Sequence, residues 1–232
     1  MSNTQMSRPS PPPESAGSAR RYGGVSAAER QAQRRERLIE AGLDVFGRMG
    51  YSETTMRMIC SQARLTDRYF YEQFTDCDEV YKVVHQRLSA DVMKQIAVAA
   101  SSVSGDDPIA MVKAGLTAFY TFIKEDPRRA QILLIDAVTT GLANPLNVNA
   151  WVSRYVELMR HRFKTRYPHL NFTLDVELVM GGFVGQVIHT GSVWYQRKFD
   201  TPVELLVEHT AYAWMGLHQW LASRNTGAVK TS

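Results

Sequence analysis

Apolar residues recur at spacings of three and four along nearly the whole chain, the periodicity of helices that bury one face. Ser26 and Glu29 form a capping box. The helix they begin carries Leu38, Ile39, Ala41, Leu43, Val45 and Phe46 near its end, where Gly50 takes the closing position. Thr54 is the predicted N-cap of a short helix with Met56, Ile59 and Ala63 on one face, and Leu65 fills the turn after it. Thr66 offers the next N-cap, and Phe70 and Phe74, four apart, form the inward stripe of a third helix. Asp76 with Glu79 makes another capping box, from which a helix continues through Val80, Val83, Val84, Leu88 and Val92.

The rest of the pattern is also helical. Asp107 and Pro108 start a helix through Leu116, Phe119, Tyr120 and Ile123, and Asp126 and Pro127 start one through Ile132, Leu133, Leu134 and Val138. After a loop between Gly141 and Pro145, residues 148–167 carry an apolar stripe that Pro168 ends. A long apolar segment over 173–197 contains Gly181, Gly182, Gly185 and Gly191, and a last helix starts at Pro202 with Thr201 and Glu204 at its cap. No alternating strand pattern of useful length occurs, so the predicted fold class is all-α.

The polar positions of the third helix change the picture. Asp67, Arg68, Tyr69, Tyr71, Glu72 and Gln73 point outward, and most of these side chains can meet a phosphate or a base edge. Two short helices joined by a tight turn, the second polar and aromatic, outline a DNA-binding helix-turn-helix. Upstream lie Arg20, Arg21, Arg30, Arg34, Arg35 and Arg37, an arginine-rich stretch suited to phosphate contact and counterion release. The net charge of +4 is modest, so its distribution matters more than its size; Glu72, Asp76, Asp78 and Glu79 place acid close to the reader helix.

Residues 34–80 resemble the N-terminal domain of the TetR family of bacterial transcriptional regulators. The resemblance rests on Ala41, Phe46, Gly50, Tyr51, Thr54, Thr55, Ile59, Ala63, Thr66, Tyr71 and Phe74. It implies a homodimer that binds a palindromic double-stranded DNA operator, with three N-terminal helices for DNA, a larger helical domain for ligand and dimerisation, and repression as the usual mode. Position by position, it implies phosphate contact for Thr55 and Tyr71, and base or backbone contact for Arg57, Asp67, Arg68, Tyr69 and Gln73. Arg34, Thr54, Thr66 and Lys82 complete the expected DNA-binding set. Three departures stand out: Arg64 occupies the turn position that is usually glycine, Arg68 and Gln73 replace a small residue and a histidine, and Cys77 replaces a phosphate-holding lysine.

The expected organisation is a Ser/Pro-rich tail over 1–25, a DNA-binding domain over 26–75, a ligand-binding and dimerisation domain over 76–224, and a flexible tail over 225–232. Phe119, Trp151, Tyr155, Phe183, Gln186, His189 and Thr190 have the mix of apolar and polar groups that suits a ligand pocket, with core packing the competing role for each. The absence of a conspicuous acid or base cluster points to a small hydrophobic or amphipathic effector. Glycines cost helix stability, so keeping them in one helix suits the close approach of a neighbouring helix, either within one subunit or, as the resemblance implies, across a dimer contact made by Gly181, Gly182 and Gly185 with Trp214 and Trp220 of the last helix.

An enzyme is the rival class, and the chemistry for one is missing. The six histidines lie at no metal-ligand spacing, and no glycine-rich phosphate loop follows a strand, so no metal, cofactor or catalytic residue is expected. A helical carrier of lipid or another small molecule, without a regulatory role, is the alternative; it has no use for Arg68, Tyr71 and the arginine arm. With no signal peptide and no apolar run of membrane-spanning length, a cytoplasmic location without membrane contact is expected. The two cysteines fit a reducing compartment. Cys60 suits core filling; Cys77 is a candidate for redox chemistry, since a helix N-terminus favours thiolate while its acidic neighbours oppose it.

Overall fold

The computed structural model describes residues 26–105, 107–136 and 175–228, and these are all helix and connecting turn. In chain order the helices are α1 (Ala27–Met49), α2 (Met56–Ala63), α3 (Asp67–Tyr71), α4 (Cys77–Ser101), α5 (Pro108–Glu125), α6 (Pro127–Ala130), α7 (Val176–Gln196) and α8 (Val203–Ala228). A π-helical segment, Gln131–Asp136, follows α6 directly. The all-α expectation holds for these residues; the helix expected over 148–167 lies outside them. At the C-terminus α8 continues to Ala228, past residue 225 where a tail is expected.

Local chemistry explains most helix ends. The Ser26–Glu29 capping box forms in both directions, with the Ser26 amide donating to Glu29 Oε2 at 2.6 Å and the Glu29 amide to Ser26 Oγ at 3.1 Å. Gly50 closes α1 at φ 80°, its amide bonded to the Phe46 carbonyl. Asp76 caps α4 through the Glu79 amide, but the expected box is not reciprocal: Glu79 accepts instead from the amide and hydroxyl of Thr75, one residue earlier. Asp107 accepts from the amides of Ile109 and Ala110 ahead of α5, and Asp126 from that of Arg128 ahead of α6, each followed by a proline at the first helical position.

The core is continuous from the N-terminal helices into the larger domain. Leu38, Phe46, Ile59, Phe70, Val80, Tyr120, Ile123 and Ile132 are fully buried. The buried end of α1 lies against α4 and α6 at two glycines: a Cβ on Gly42 would stand 2.7 Å from Val80 Cγ1, and one on Gly47 only 2.3 Å from Arg128 Cβ. Farther along, α5 packs against both α4 and α8. Buried Tyr120 donates to or accepts from Thr210 of α8 at 3.0 Å, and burial pushes its hydroxyl up to about 12. Trp194 is held by a 2.9 Å bond to the Thr201 carbonyl and by the ring of Phe199.

The helix expected after Asp126 runs as a single α-turn and then widens into the π form. Asp136, at its end, accepts from Gln131 Nε2 at 2.8 Å and from the Tyr51 amide at 3.0 Å. Insertion of one residue per turn is the geometry in which π segments recur at functional joints. Here the segment joins the larger domain to the turn between α1 and α2.

Candidate nucleic-acid interface

The reader is built from short-range decisions and long-range ones. Thr55, rather than Thr54, is the N-cap of α2, accepting from the Met58 amide; Thr54 is unsuited because its hydroxyl already donates to the Gly50 carbonyl at 2.7 Å. Arg64 ends α2 in the left-handed conformation, φ 52° and ψ 46°, where a non-glycine residue costs about 1 kcal/mol. Thr66 stands at the N-cap of α3 with extended backbone but makes no side-chain cap bond. Leu65, between them, donates its amide to Cys60 O at 2.9 Å, closing the turn.

The long-range decisions come from α1. Arg37 Nη2 donates to the Ala63 carbonyl at 2.6 Å and to that of Arg64 at 3.3 Å, at the end of α2. Arg35 Nη1 donates to the Gln73 carbonyl at 2.9 Å, just beyond α3, and its guanidinium lies 4.2 Å from the centre of the Phe74 ring. Both arginines read in sequence as part of a phosphate-binding arm. Their guanidinium groups instead hold backbone carbonyls inside the reader. Arg34 differs again, with its guanidinium 4.7 Å over the Tyr69 ring.

What α3 offers outward is compact. Phe70 and Phe74 are buried, while Thr66, Asp67, Arg68, Tyr69, Tyr71 and Glu72 are exposed. The Arg68 side chain is 86% exposed and bonded through Nε to Glu72 Oε1 at 3.2 Å, and its two terminal nitrogens make no bond among the described residues. Arg57 near the start of α2 and Lys82 on α4 are exposed as well. Gln73 departs from the sequence expectation. The helix stops at Tyr71, so Gln73 falls in the following turn, half-buried, with its Nε2 buried and without a partner among the described residues.

Tyr51 ties the reader to the rest of the molecule. Its hydroxyl donates to Asp78 at the start of α4, which pushes it up to about 12, and its ring packs against Phe46 and Tyr81. Behind it, Asp44 of α1 accepts from Arg48 and from Arg128, and Arg128 also bonds Asp126. Arg48, then Arg128, holds Asp44 below the usual carboxylate range, and Arg128 does the same for Asp126. Burial pushes the Asp136 carboxyl up. Sequence reading missed Asp136 and Arg128 altogether, since nothing near either in sequence marks Tyr51 or Asp44 as its partner.

Cys60 is buried, as its helix face predicts. Burial, and then the charges of Asp76 and Asp78, push the half-buried Cys77 thiol up, against the thiolate that redox chemistry needs.

Residues 38–84, which contain α2, α3 and the turn between them, match the model of the bacterial regulatory proteins of the tetR family. Over these residues the chain is similar to the TetR family. Its fold is shared by a TetR-like transcriptional regulator from Rhodococcus sp. RHA1, at 21% identity and TM-score 0.63, over 81% of this chain and 97% of that one. A TetR-family regulator from Streptomyces coelicolor aligns at 19% identity and TM-score 0.60, over 83% of each chain. The regulator FadR from Bacillus subtilis, solved in complex with stearoyl-CoA, aligns at 13% identity and TM-score 0.63, over 76% of this chain and 95% of that one. No curated protein sequence matches the chain. The family match covers residues 38–84, and the solved structures show a shared fold that extends beyond them. Among the described residues, no helix is long and apolar enough to cross a membrane.

The other expected sites divide. Gly181, Gly182 and Gly185 are exposed on α7, and a Cβ on any of them would meet nothing within 4 Å. Gly191, by contrast, packs inside: a Cβ there would stand 3.1 Å from Leu134 Cδ1. Trp220 is partly exposed, but Trp214 is buried and stacked on Phe183 at 4.0 Å, so it serves packing between α7 and α8 rather than an outer face. Phe119, Phe183, Gln186 and Thr190 are half-buried. His189 is exposed, four residues from Gly185 on the same face, which removes it from a pocket with Phe119 and Phe183. Trp151 and Tyr155 lie outside the described residues.

Proposed function

We propose that this protein is a ligand-responsive repressor that binds a palindromic operator as a homodimer and leaves it when a small hydrophobic or amphipathic effector binds. The observation that carries the DNA half is α3: a helix anchored by Phe70 and Phe74 that turns Arg68, Tyr69 and Tyr71 outward. Residues 26–75 are the reader and 76–224 the ligand-binding and dimerisation domain. Thr55 and Tyr71 take phosphate, Arg68 a base edge, and Arg57, Asp67 and Lys82 flank them.

The dimer half rests on the open faces of α7 and α8. Leu178, Leu205 and Tyr212 are 75%, 48% and 63% exposed beside glycines that leave room for another helix. Pairing two such faces covers them. The effector class rests on the lack of an acid or base cluster and on the shared fold with FadR of Bacillus subtilis, which holds an acyl-CoA. Phe119, Gln186 and Thr190 are its proposed contacts. The contacts of α6 and the π segment with α1 and Tyr51 supply a route between the two sites, and an effector shifts the readers by its differential affinity for two arrangements.

Sequenced pulldown of genomic fragments tests the reading, with Arg68→Ala and Tyr71→Phe as controls. A palindromic site with half-sites about one helical turn apart, lost in the controls, is the expected result. No specific enrichment would favour a carrier without regulatory role. For the effector, compounds that raise the unfolding temperature should also weaken DNA binding.

A further inference from the structure

Two arginines of α1 hold the carbonyl ends of both reader helices, and the assignment of α3 to DNA leaves them without a stated role. We propose that Arg35 and Arg37 are positioning residues, a two-pronged clamp that sets the angle of α2 and α3 against α1 and so governs recognition without touching phosphate. The inference rests on the DNA-binding reading above.

The geometry carries it. Arg37 engages Ala63 O and Arg64 O, the carbonyls on either side of the junction where α2 turns left-handed. Arg35 engages Gln73 O where the chain leaves α3, and is fixed there a second time by the face of Phe74. Helix C-termini carry unsatisfied carbonyls and partial negative charge, which a guanidinium satisfies on both counts. The Arg35 guanidinium lies flat on the Phe74 ring while donating, and the longer Arg37 side chain brings one Nη between two carbonyls; a lysine keeps the charge and loses the stacking at the one and the reach at the other. The partners lie 26 and 38 residues away from the arginines, so these bonds join helices that local structure does not. Because α3 has only five residues, its own hydrogen bonds do little to hold it, and its placement depends on such external ties.

The test uses the full chain with Arg35→Lys, Arg37→Lys and the double change, followed by the matching glutamine variants. Amide hydrogen exchange is read first, on the protein without DNA. The clamp predicts exchange about tenfold faster over residues 56–74, with α4 and α5 unchanged. Binding is then measured with a duplex recovered by the wild-type protein from a random-sequence pool. Expected is about tenfold weaker binding for the lysine variants and, for the glutamine variants, an unchanged slope of log K against log salt. Lysine variants that exchange and bind as the wild type, or glutamine variants whose salt slope falls by about one per residue, would overturn the clamp and make the arginines phosphate contacts. If the wild type recovers no duplex, the DNA-binding reading fails, and the exchange comparison alone decides the clamp.

Discussion

The reader and the α7–α8 pair solve the same packing problem to different degrees. In the reader, short helices with little intrinsic stability are tied at nearly every end: Thr55 caps α2, Arg37 closes it, Arg35 holds the exit of α3, and Phe70 and Phe74 are buried beneath. In α7 and α8 the helices are long, yet Gly181, Gly182, Gly185 and Gly216 have open space where a side chain would be, and large apolar groups face outward beside them. One region completes its core within the chain. The other leaves a face whose composition suits burial against something else. The contrast shows that helix length and completeness are separate properties: the five-residue α3 is held more fully than the ends of a helix five times as long.

The comparison can be broken from the reader side first. Phe70→Ala should destabilise the protein by about 4 kcal/mol, read from denaturant unfolding, because a fully buried ring leaves a cavity under α3; a loss under about 1 kcal/mol would mean that the reader core is looser than its burial indicates. Gly47→Ala comes next. The added methyl would lie 2.3 Å from Arg128 Cβ and 2.8 Å from its Cα, so α1 and α6 must separate. The expected cost is about 2 kcal/mol, larger than the gain of about 1 kcal/mol in helix propensity. A neutral or stabilising result would show that α6 yields freely.

Gly185→Leu addresses the other region. With nothing near its Cβ, the substitution should stabilise the isolated helix by up to about 1 kcal/mol while converting the proposed dimer to monomer in sedimentation. A dimer that persists would move the interface elsewhere. The smallest effects lie at the joint between regions. Asp44 and Asp126, held low by Arg48 and Arg128, contribute stability that is present above the unfolded carboxylate value, about 4, and is lost as pH falls through their lower folded values. Asp136 runs the other way. Burial raises it, so its contribution is present below the ordinary value and is lost as pH rises through the raised one. Arg48→Ala should weaken the acid-side loss by less than about 1 kcal/mol, given how exposed Arg48 is, and Asp136→Asn should remove the decline on the other side. Urea midpoints measured from acid to neutral pH separate the two.

Much of this architecture is legible from neighbouring residues. Ser26 with Glu29, Gly50 after Phe46, and Phe70 with Phe74 are statements about groups within four positions, and each appears in the structure as read. Arg64 is legible in a conditional way: its position demands a left-handed turn, and the chain takes it. The errors share a cause. Thr54 and Thr55 are equally good caps by type, and only the bond from Thr54 to Gly50 O selects between them. Trp214 and His189 sit on periodic apolar helices where sequence cannot say which face meets Phe183 and which stays open.

By itself, then, the sequence determined the described helices, most of their caps, the polar outward face of α3 and the family model that the reader matches, because helix bonds and caps connect groups a few residues apart and depend on residue type. Only the tertiary structure decided that Arg35 and Arg37 clamp the reader, that Asp136 bonds Tyr51 across 85 positions, and that Gly191 is filled while Gly185 is open. Those outcomes depend on how helices meet, and a side chain able to donate a hydrogen bond does not specify which distant carbonyl or carboxylate will receive it.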